Sequence, residues 1–306
     1  MKISFIGGVK FSLEILKAIL QENYSVDVIF SYDESKKKFY SDYISFDEIS
    51  KKHKIKNVKI MNINDEKNIE LLKKIKPDLI LVMGWSQLLK DEIIKIPSLG
   101  VIGSHPTELP KYRGRAPLSW SIIKGLKESA LTFFYITPEV DEGDILDQRK
   151  FKITDDDDAT SLYKKMTNLG KEMITDNLPL LEKGKASRIK QDPSKFIENW
   201  PKRTPEDGKI DWSKSGKEIL KLIRATTNPY PGAFTFFNTA KVQIWKANLI
   251  DEKSEGNGKI IDVNEKGVFI GTSKGVLLIH KISLNNVESD ANKIFSKNDI
   301  GTYLGF

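Results

Sequence analysis

Cysteine is absent from the 306 residues, so disulfides, thiolate nucleophiles and thiolate metal sites are excluded. That composition fits a reducing compartment, and a cytoplasmic location is expected. Histidine is nearly absent too. His53, His105 and His280 stand far apart with no HxxxH spacing, so no metal site is expected. No apolar run reaches the about 18 residues that a membrane helix needs, and no membrane partner is expected. The opening "MKISFIGGVKFSLEIL" is broken by Glu14 and reads as a strand entering an amphipathic helix, not as a leader peptide. Arginine is also scarce. Lysine is everywhere, but the six arginines begin only at Arg113.

The remaining composition is that of a globular chain, with 39% hydrophobic and 30% charged residues. This length can hold two domains. A net charge of +7 would suit nucleic acid, membrane surfaces or small anionic substrates. Yet "SKKK" (35–38) and "KKHKIK" (51–56) read more simply as solvated faces, because acids are almost as numerous.

The first half alternates short apolar runs with segments of helical period. Strands are predicted at 2–7, 26–31, 58–63, 77–85 and 98–105, with helices at 11–20 and 66–75. This is the pattern of βαβ units and a mostly parallel sheet. Further strands are predicted at 130–136 and 144–153, then a long helix over 155–184 whose aspartates cap it and favour its dipole. Residues 185–207 are polar and read as a linker. A helix at 217–227 and even-spaced β runs from 234 to 282 indicate a small β-barrel or sandwich.

In a doubly wound sheet, ligands sit beyond the carboxyl ends of the strands. Three segments end strands there: "MGWSQLL" (83–89), "GSHPTELPKYRGRAP" (103–117) and "TPEVDEGDI" (137–145). Arg113 and Arg115 suit planar, bidentate contacts to carboxylate or phosphate, against the plainer reading of a surface salt bridge. His105 with an aspartate from the next loop makes a minimal base-and-orienter pair.

The order "GWSQLL", "SHPTELPKYRGRAPLSW", "ALTFFYI", "VDEGDIL", "KRTPEDGKIDW" and "IRATTNPYPGAF" resembles the formyltransferases that use N10-formyltetrahydrofolate. The resemblance covers most of residues 1–250. It implies a Rossmann-like catalytic domain at 1–184, the linker at 185–207, and a small OB-like β-barrel domain at 208–306. It places the family's catalytic His on His105 and its Asp on Asp141, 36 positions apart. It implies a folate site on Met83, Trp85, Gln87, Leu88, Leu89, Val140, Asp141 and Asp144. The acceptor would meet Thr107, Tyr112, Arg115 and Trp120, and Lys10 is a candidate partner for an acceptor phosphate. One position departs. The family's Asn, held to polarise the formyl oxygen, falls on Gly103. An Asn at 103 is expected to point into the site, so that glycine leaves room for water or a bulkier acceptor.

Two acceptors follow from the resemblance. "YRGRAPLSW" and "NPYPGAF" are closer to the nucleotide-amino-sugar enzymes. A methionyl-tRNA enzyme, the alternative, would need nucleic acid as partner and a basic insertion to grip it. Residues 33–50 hold three lysines against five acids, which is no phosphate-gripping loop. A folate- or sugar-binding paralogue without catalysis is the further alternative raised by Gly103. A homodimer is compatible with either enzyme.

Overall fold

A computed structural model describes residues 1–251 and 256–305, so four residues and the last one of the expected 208–306 domain lie outside the described residues. Along the chain the elements are β1 (Ile3–Ile6), α1 (Lys10–Gln21), β2 (Val26–Tyr32), α2 (Asp47–His53), β3 (Lys56–Ile60), α3 (Glu66–Ile75), β4 (Leu79–Val82), α4 (Asp91–Ile94), β5 (Val101–His105), β6 (Tyr112–Gly114), α5 (Pro117–Ile123), β7 (Glu128–Tyr135), β8 (Ile145–Lys152), α6 (Ala159–Glu182) and β9 (Glu198–Trp200). They continue with α7 (Gly216–Thr226), β10 (Ala233–Phe237), β11 (Ala240–Asp251), β12 (Ile260–Asn264), β13 (Gly267–Gly271), β14 (Val276–Leu284), β15 (Val287–Asp290) and α8 (Ala291–Ile294). The chain divides into two compact units. One comprises residues 1–117, 128–152 and 163–201, the other 118–127, 153–162 and 202–306.

The first unit is built on a seven-stranded sheet of order β3-β2-β1-β4-β5-β7-β8. The first five strands are parallel, β7 pairs antiparallel with β5, and β8 pairs antiparallel with β7. β1 and β4 are buried at every position, as their unbroken apolar runs require of central parallel strands. Ile6, Phe30, Ile80, Val82 and Leu72 belong to one packed cluster on this sheet. The strand order reverses beside β1, so the carboxyl ends of β1, β4 and β5 face one crevice.

The segment read as a linker is partly built into this unit. β9 runs parallel to β6, Tyr112 stacks on Trp200 at 4.6 Å, and Trp200 is buried. The second unit carries an antiparallel sheet of order β10-β11-β14-β13-β12, with β15 on β14. The apolar face of α7 joins its core through Ile219 and Ile223. Among the described residues no helix is long and apolar enough to cross a membrane.

Gly84 opens the loop after β4 at φ +59°, and an added Cβ would lie 2.5 Å from Val9 Cγ2. Gly184 has a similar φ of +63° with open space around it. Gly184→Ala should therefore cost only the left-handed strain, about 1 to 2 kcal/mol. Gly84→Ala should cost roughly 1 to 3 kcal/mol more from overpacking. Urea denaturation of the pair measures the difference, and equal losses would contradict the packing at Val9.

Candidate functional site

His105 is the last residue of β5, held opposite Thr132 of β7 and only 6% exposed. Its Nδ1 lies 3.6 Å from Asp141 Oδ2. The imidazole also hydrogen-bonds the Tyr112 main chain, while Nε2 is buried with no partner. The main-chain acceptor is a carbonyl, so the proton sits on Nδ1 and the lone pair is on Nε2. Burial lowers the pKa of His105, and Asp141 and the Tyr112 hydrogen bond only partly offset it. Arg113 lowers it further. At neutral pH the ring is an uncharged base whose open nitrogen has nothing to bond within the protein.

Asp141 takes a left-handed backbone conformation, φ +56°, unusual for a non-glycine residue. Its carboxylate accepts the Gly114 N–H at 3.2 Å as well as facing His105. Gln191 holds the loop from the other side. Its amide donates to the carbonyls of Asp141 and Gly143, both at 2.8 Å. Gly143 presses on β7 so closely that a Cβ would fall 1.7 Å from the Tyr135 carbonyl oxygen. Arg113 binds Glu142 and, at 3.3 Å, Gln191 Oε1. Its planar head therefore joins loops together. Arg115 is exposed, and its only bond among the described residues is main-chain, to the Trp200 carbonyl.

The loop after β4 divides sharply. The Met83 and Leu89 side chains are buried, and Leu89 packs in the core cluster of the sheet. Gln87 is committed on both ends. It accepts the Ile63 N–H at 3.0 Å and donates to the Met61 carbonyl at 2.7 Å. Trp85 stacks on Tyr32 at 3.9 Å, and Tyr32 stacks on Tyr40 at 4.2 Å. The Tyr32 hydroxyl accepts the Ser86 N–H, and Trp85 Nε1 is buried without a partner. Leu88 and Val140 remain exposed apolar groups. Asp144 lies 3.9 Å from Arg188, and its carbonyl accepts the Tyr135 N–H.

On the acceptor side, two expectations change. Thr107 is fully buried and its hydroxyl donates to the Tyr112 carbonyl, so that hydroxyl is spent inside the protein. Lys10 is exposed, but the start of α1 offers little to a phosphate. The Val9 amide bonds Ser12, the Lys10 amide bonds the Asp42 carbonyl, and the Phe11 amide bonds the Tyr163 hydroxyl. Tyr112 presents its ring to Trp200. Trp120 belongs to the second unit, where the Arg203 guanidinium lies 5.0 Å from its ring centre.

Gly103 also differs from expectation. A Cβ there would lie 2.9 Å from both Cδ1 and Cγ1 of Ile136 and 3.3 Å from a Phe134 ring carbon. The place of a side chain at 103 is therefore filled by Ile136. Sequence reasoning missed Ile136, Gln191, Glu142, Trp200 and the Tyr32–Tyr40 stack. The failure of "KQDPSKF" to match any helix or strand period was the only local sign that 190–196 does something else.

A family model described as formyl transferase matches residues 1–178, and one described as formyl transferase, C-terminal domain, matches residues 202–298. Methionyl-tRNA formyltransferase of Clostridioides difficile (strain 630) is 35% identical over 291 residues, covering 94% of this chain and 93% of that protein. The bifunctional polymyxin resistance protein ArnA of Wigglesworthia glossinidia brevipalpis is 39% identical over 227 residues, 73% of this chain and 35% of that protein. Among solved structures, the sugar 3N-formyl transferase WlaRD, crystallised with dTDP and 5-N-formyl-THF, superposes with a TM-score of 0.68 at 21% identity. That match covers 94% of this chain and 98% of the other, and carries the fold alone.

Two outcomes follow from the geometry. Any turnover that uses His105 Nε2 as base should keep its acid limb below about pH 6.5, because a lowered pKa leaves the ring neutral further into acid. A rate–pH profile with its limb at pH 7 or above would contradict this. Gly103→Asn should destabilise the fold by about 1 to 3 kcal/mol through Ile136, and Gly103→Asn with Ile136→Ala should recover part of that loss in thermal melts. Equal destabilisation in the single and double variants would show that Ile136 is not the obstacle.

Proposed function

Because this chain belongs to the formyl transferase family, whose members transfer a formyl group from formyl-tetrahydrofolate, we propose that its acceptor is the amine of a nucleotide-linked amino sugar. The observation that carries this choice is the packing of residues 33–50. The Lys10 amide bonds the Asp42 carbonyl, the Ile44 amide bonds the Gly8 carbonyl, and Tyr43 pairs with Val9. Tyr163 donates its hydroxyl to the half-buried Asp42 carboxylate at 2.7 Å. Two acids of the segment, Glu34 and Asp47, hold Lys59 at 2.6 Å each. A segment tied down this way, with more acid than base, gives a nucleic-acid backbone little to bind. The shared fold of a sugar N-formyltransferase agrees with the choice.

In the proposed reaction the acceptor amine attacks the formyl carbon. A new C–N bond forms, the bond from that carbon to N10 breaks, and tetrahydrofolate leaves. His105 Nε2 takes the proton the amine loses, the Asp141 carboxylate stabilises the imidazolium that results, and that proton passes on to N10 as the bond to the formyl carbon breaks. Leu88, Val140 and the Trp85 edge with its unpartnered Nε1 are the groups that fit a pterin-bearing substrate, beside the main chain of Met83. Arg115 is the side chain available to an anionic acceptor. With Ile136 over Gly103, position 103 itself supplies no side-chain donor to the developing oxyanion. Main-chain amides and water are left to serve it. The neutral, open His105 with its carboxylate partner weighs against a binding protein without catalysis.

The methionyl-tRNA reading is favoured by sequence relatives of that name, among them the enzyme 35% identical over nearly its full length. A direct comparison separates the two. Tetrahydrofolate release should be seen with formyl-tetrahydrofolate and a dTDP- or UDP-linked amino sugar, and not with charged initiator tRNA at physiological salt. Formylation of the tRNA under those conditions would overturn the sugar reading. His105→Asn should lower kcat by about 10²- to 10⁴-fold with both KM values nearly kept. Arg115→Lys should raise the acceptor KM and leave the folate KM unchanged, because the charge stays and the planar fork is lost. Loss on both substrates alike would assign Arg115 to folding of its loop.

A further inference from the structure

We propose that Gln191 is a positioning residue for the Asp141–His105 pair, although it lies in a segment whose composition is that of a linker. The proposal rests on the reading of His105 and Asp141 as base and charge partner. Asp141 holds a left-handed conformation, which a non-glycine residue keeps only when its surroundings impose it. On one side the loop is pressed against the Tyr135 carbonyl at Gly143. On the other, a single carboxamide group donates to two carbonyls, of Asp141 and of Gly143, each at 2.8 Å. Two donors on one nitrogen are what a primary amide provides and a hydroxyl does not. The same side chain accepts from Arg113 with its oxygen, and Arg113 binds Glu142 between the two carbonyls. Gln191 thus fixes the backbone on both sides of Glu142 and, through it, the direction of the Asp141 carboxylate.

The groups facing His105 define how this can be read. They are the Asp141 carboxylate, the Tyr112 main chain and the Arg113 guanidinium, the last already paired with Glu142. Asp141 holds the proton affinity of His105 up, and Arg113 pushes it down. Removing the amide of Gln191 lets residue 141 relax, and the carboxylate withdraws from Nδ1. The titration midpoint of His105 should then fall.

Histidine-ring NMR measures this without any acceptor, since His53 and His280 are the only other signals and serve as references within the same sample. Asp141→Asn should lower the His105 midpoint. Gln191→Met, which keeps the length and removes the donors, should lower it in the same direction by a smaller amount, with the His53 and His280 midpoints unmoved. If Asp141→Asn shifts His105 and Gln191→Met does not, Gln191 has no positioning role. A fall in melting temperature with an unmoved midpoint would likewise make it merely structural. If neither variant shifts His105, the carboxylate is uncoupled from the ring and the proposal falls with it. Gln191→Ala gives the same reading should the Met variant not fold. Failure of the acceptor assignment leaves these midpoints untouched, so the two ideas fail separately.

Discussion

His105 and Asp141 form a buried pair at 3.6 Å, and most of the surrounding architecture exists to keep that pair in register. An imidazole this deeply buried cannot stay charged alone, because an isolated ion in a low-dielectric interior is strongly disfavoured. A ring that receives a proton during turnover therefore needs a carboxylate waiting beside it. Arg113 works against that need, being the cation nearest the ring by its effect on it. Its pairing with Glu142 limits the damage, since a neutralised guanidinium competes less with the imidazolium for Asp141. The same pairing leaves Arg113 Nε buried and without a partner, a cost that the loop carries.

Two structural devices set the distance. The first is the carboxyl edge of the sheet, where Val82 and Gly103 are neighbours in register and the chain delivers Met83 and His105 on adjacent strands. The second is the return of residues 185–201 to the first unit. β9 pairs with β6, the Trp200 carbonyl accepts the Arg115 amide, and Ile189 pairs with Ile145. Gln191 lies between these anchor points. A polar stretch with three fixed points is built into the first unit.

The periodic elements were legible in the sequence because period is a local property. The helix predicted at 66–75 is α3, residue for residue, and the strands at 26–31 and 130–136 lie within or beside β2 and β7. The pairing of His105 with Asp141 came from motif order, which carries long-range information that periodicity lacks. What could not be read were contacts between short segments far apart in the chain, such as the three-residue ladder of β6 with β9 or the stack of Trp85, Tyr32 and Tyr40. Polar residues in loops misled for a related reason. Thr107 and Gln87 look available to a ligand, yet both spend their hydrogen bonds on main chain that the fold would otherwise leave unsatisfied. Gly103 misled in the opposite sense. Its missing side chain looked like space, and a branched residue 33 positions away fills it.

Thr107 then acquires a different meaning. The Tyr112 carbonyl takes its hydroxyl proton and also the hydrogen bond of the imidazole. A carbonyl oxygen has two lone pairs, and here both are in use. The threonine fixes where that oxygen points, the oxygen fixes which ring nitrogen keeps the proton, and the remaining nitrogen is left without a partner. Asp141 alone would not select that tautomer so firmly, because at 3.6 Å it acts through its charge more than through a hydrogen bond. The imidazole is therefore defined jointly by a carboxylate that favours its protonated form and a main-chain oxygen that orients its neutral one. Neither group needs to touch a substrate to do so. That division explains how a site can lack a side chain at 103 and still present one well-defined basic nitrogen.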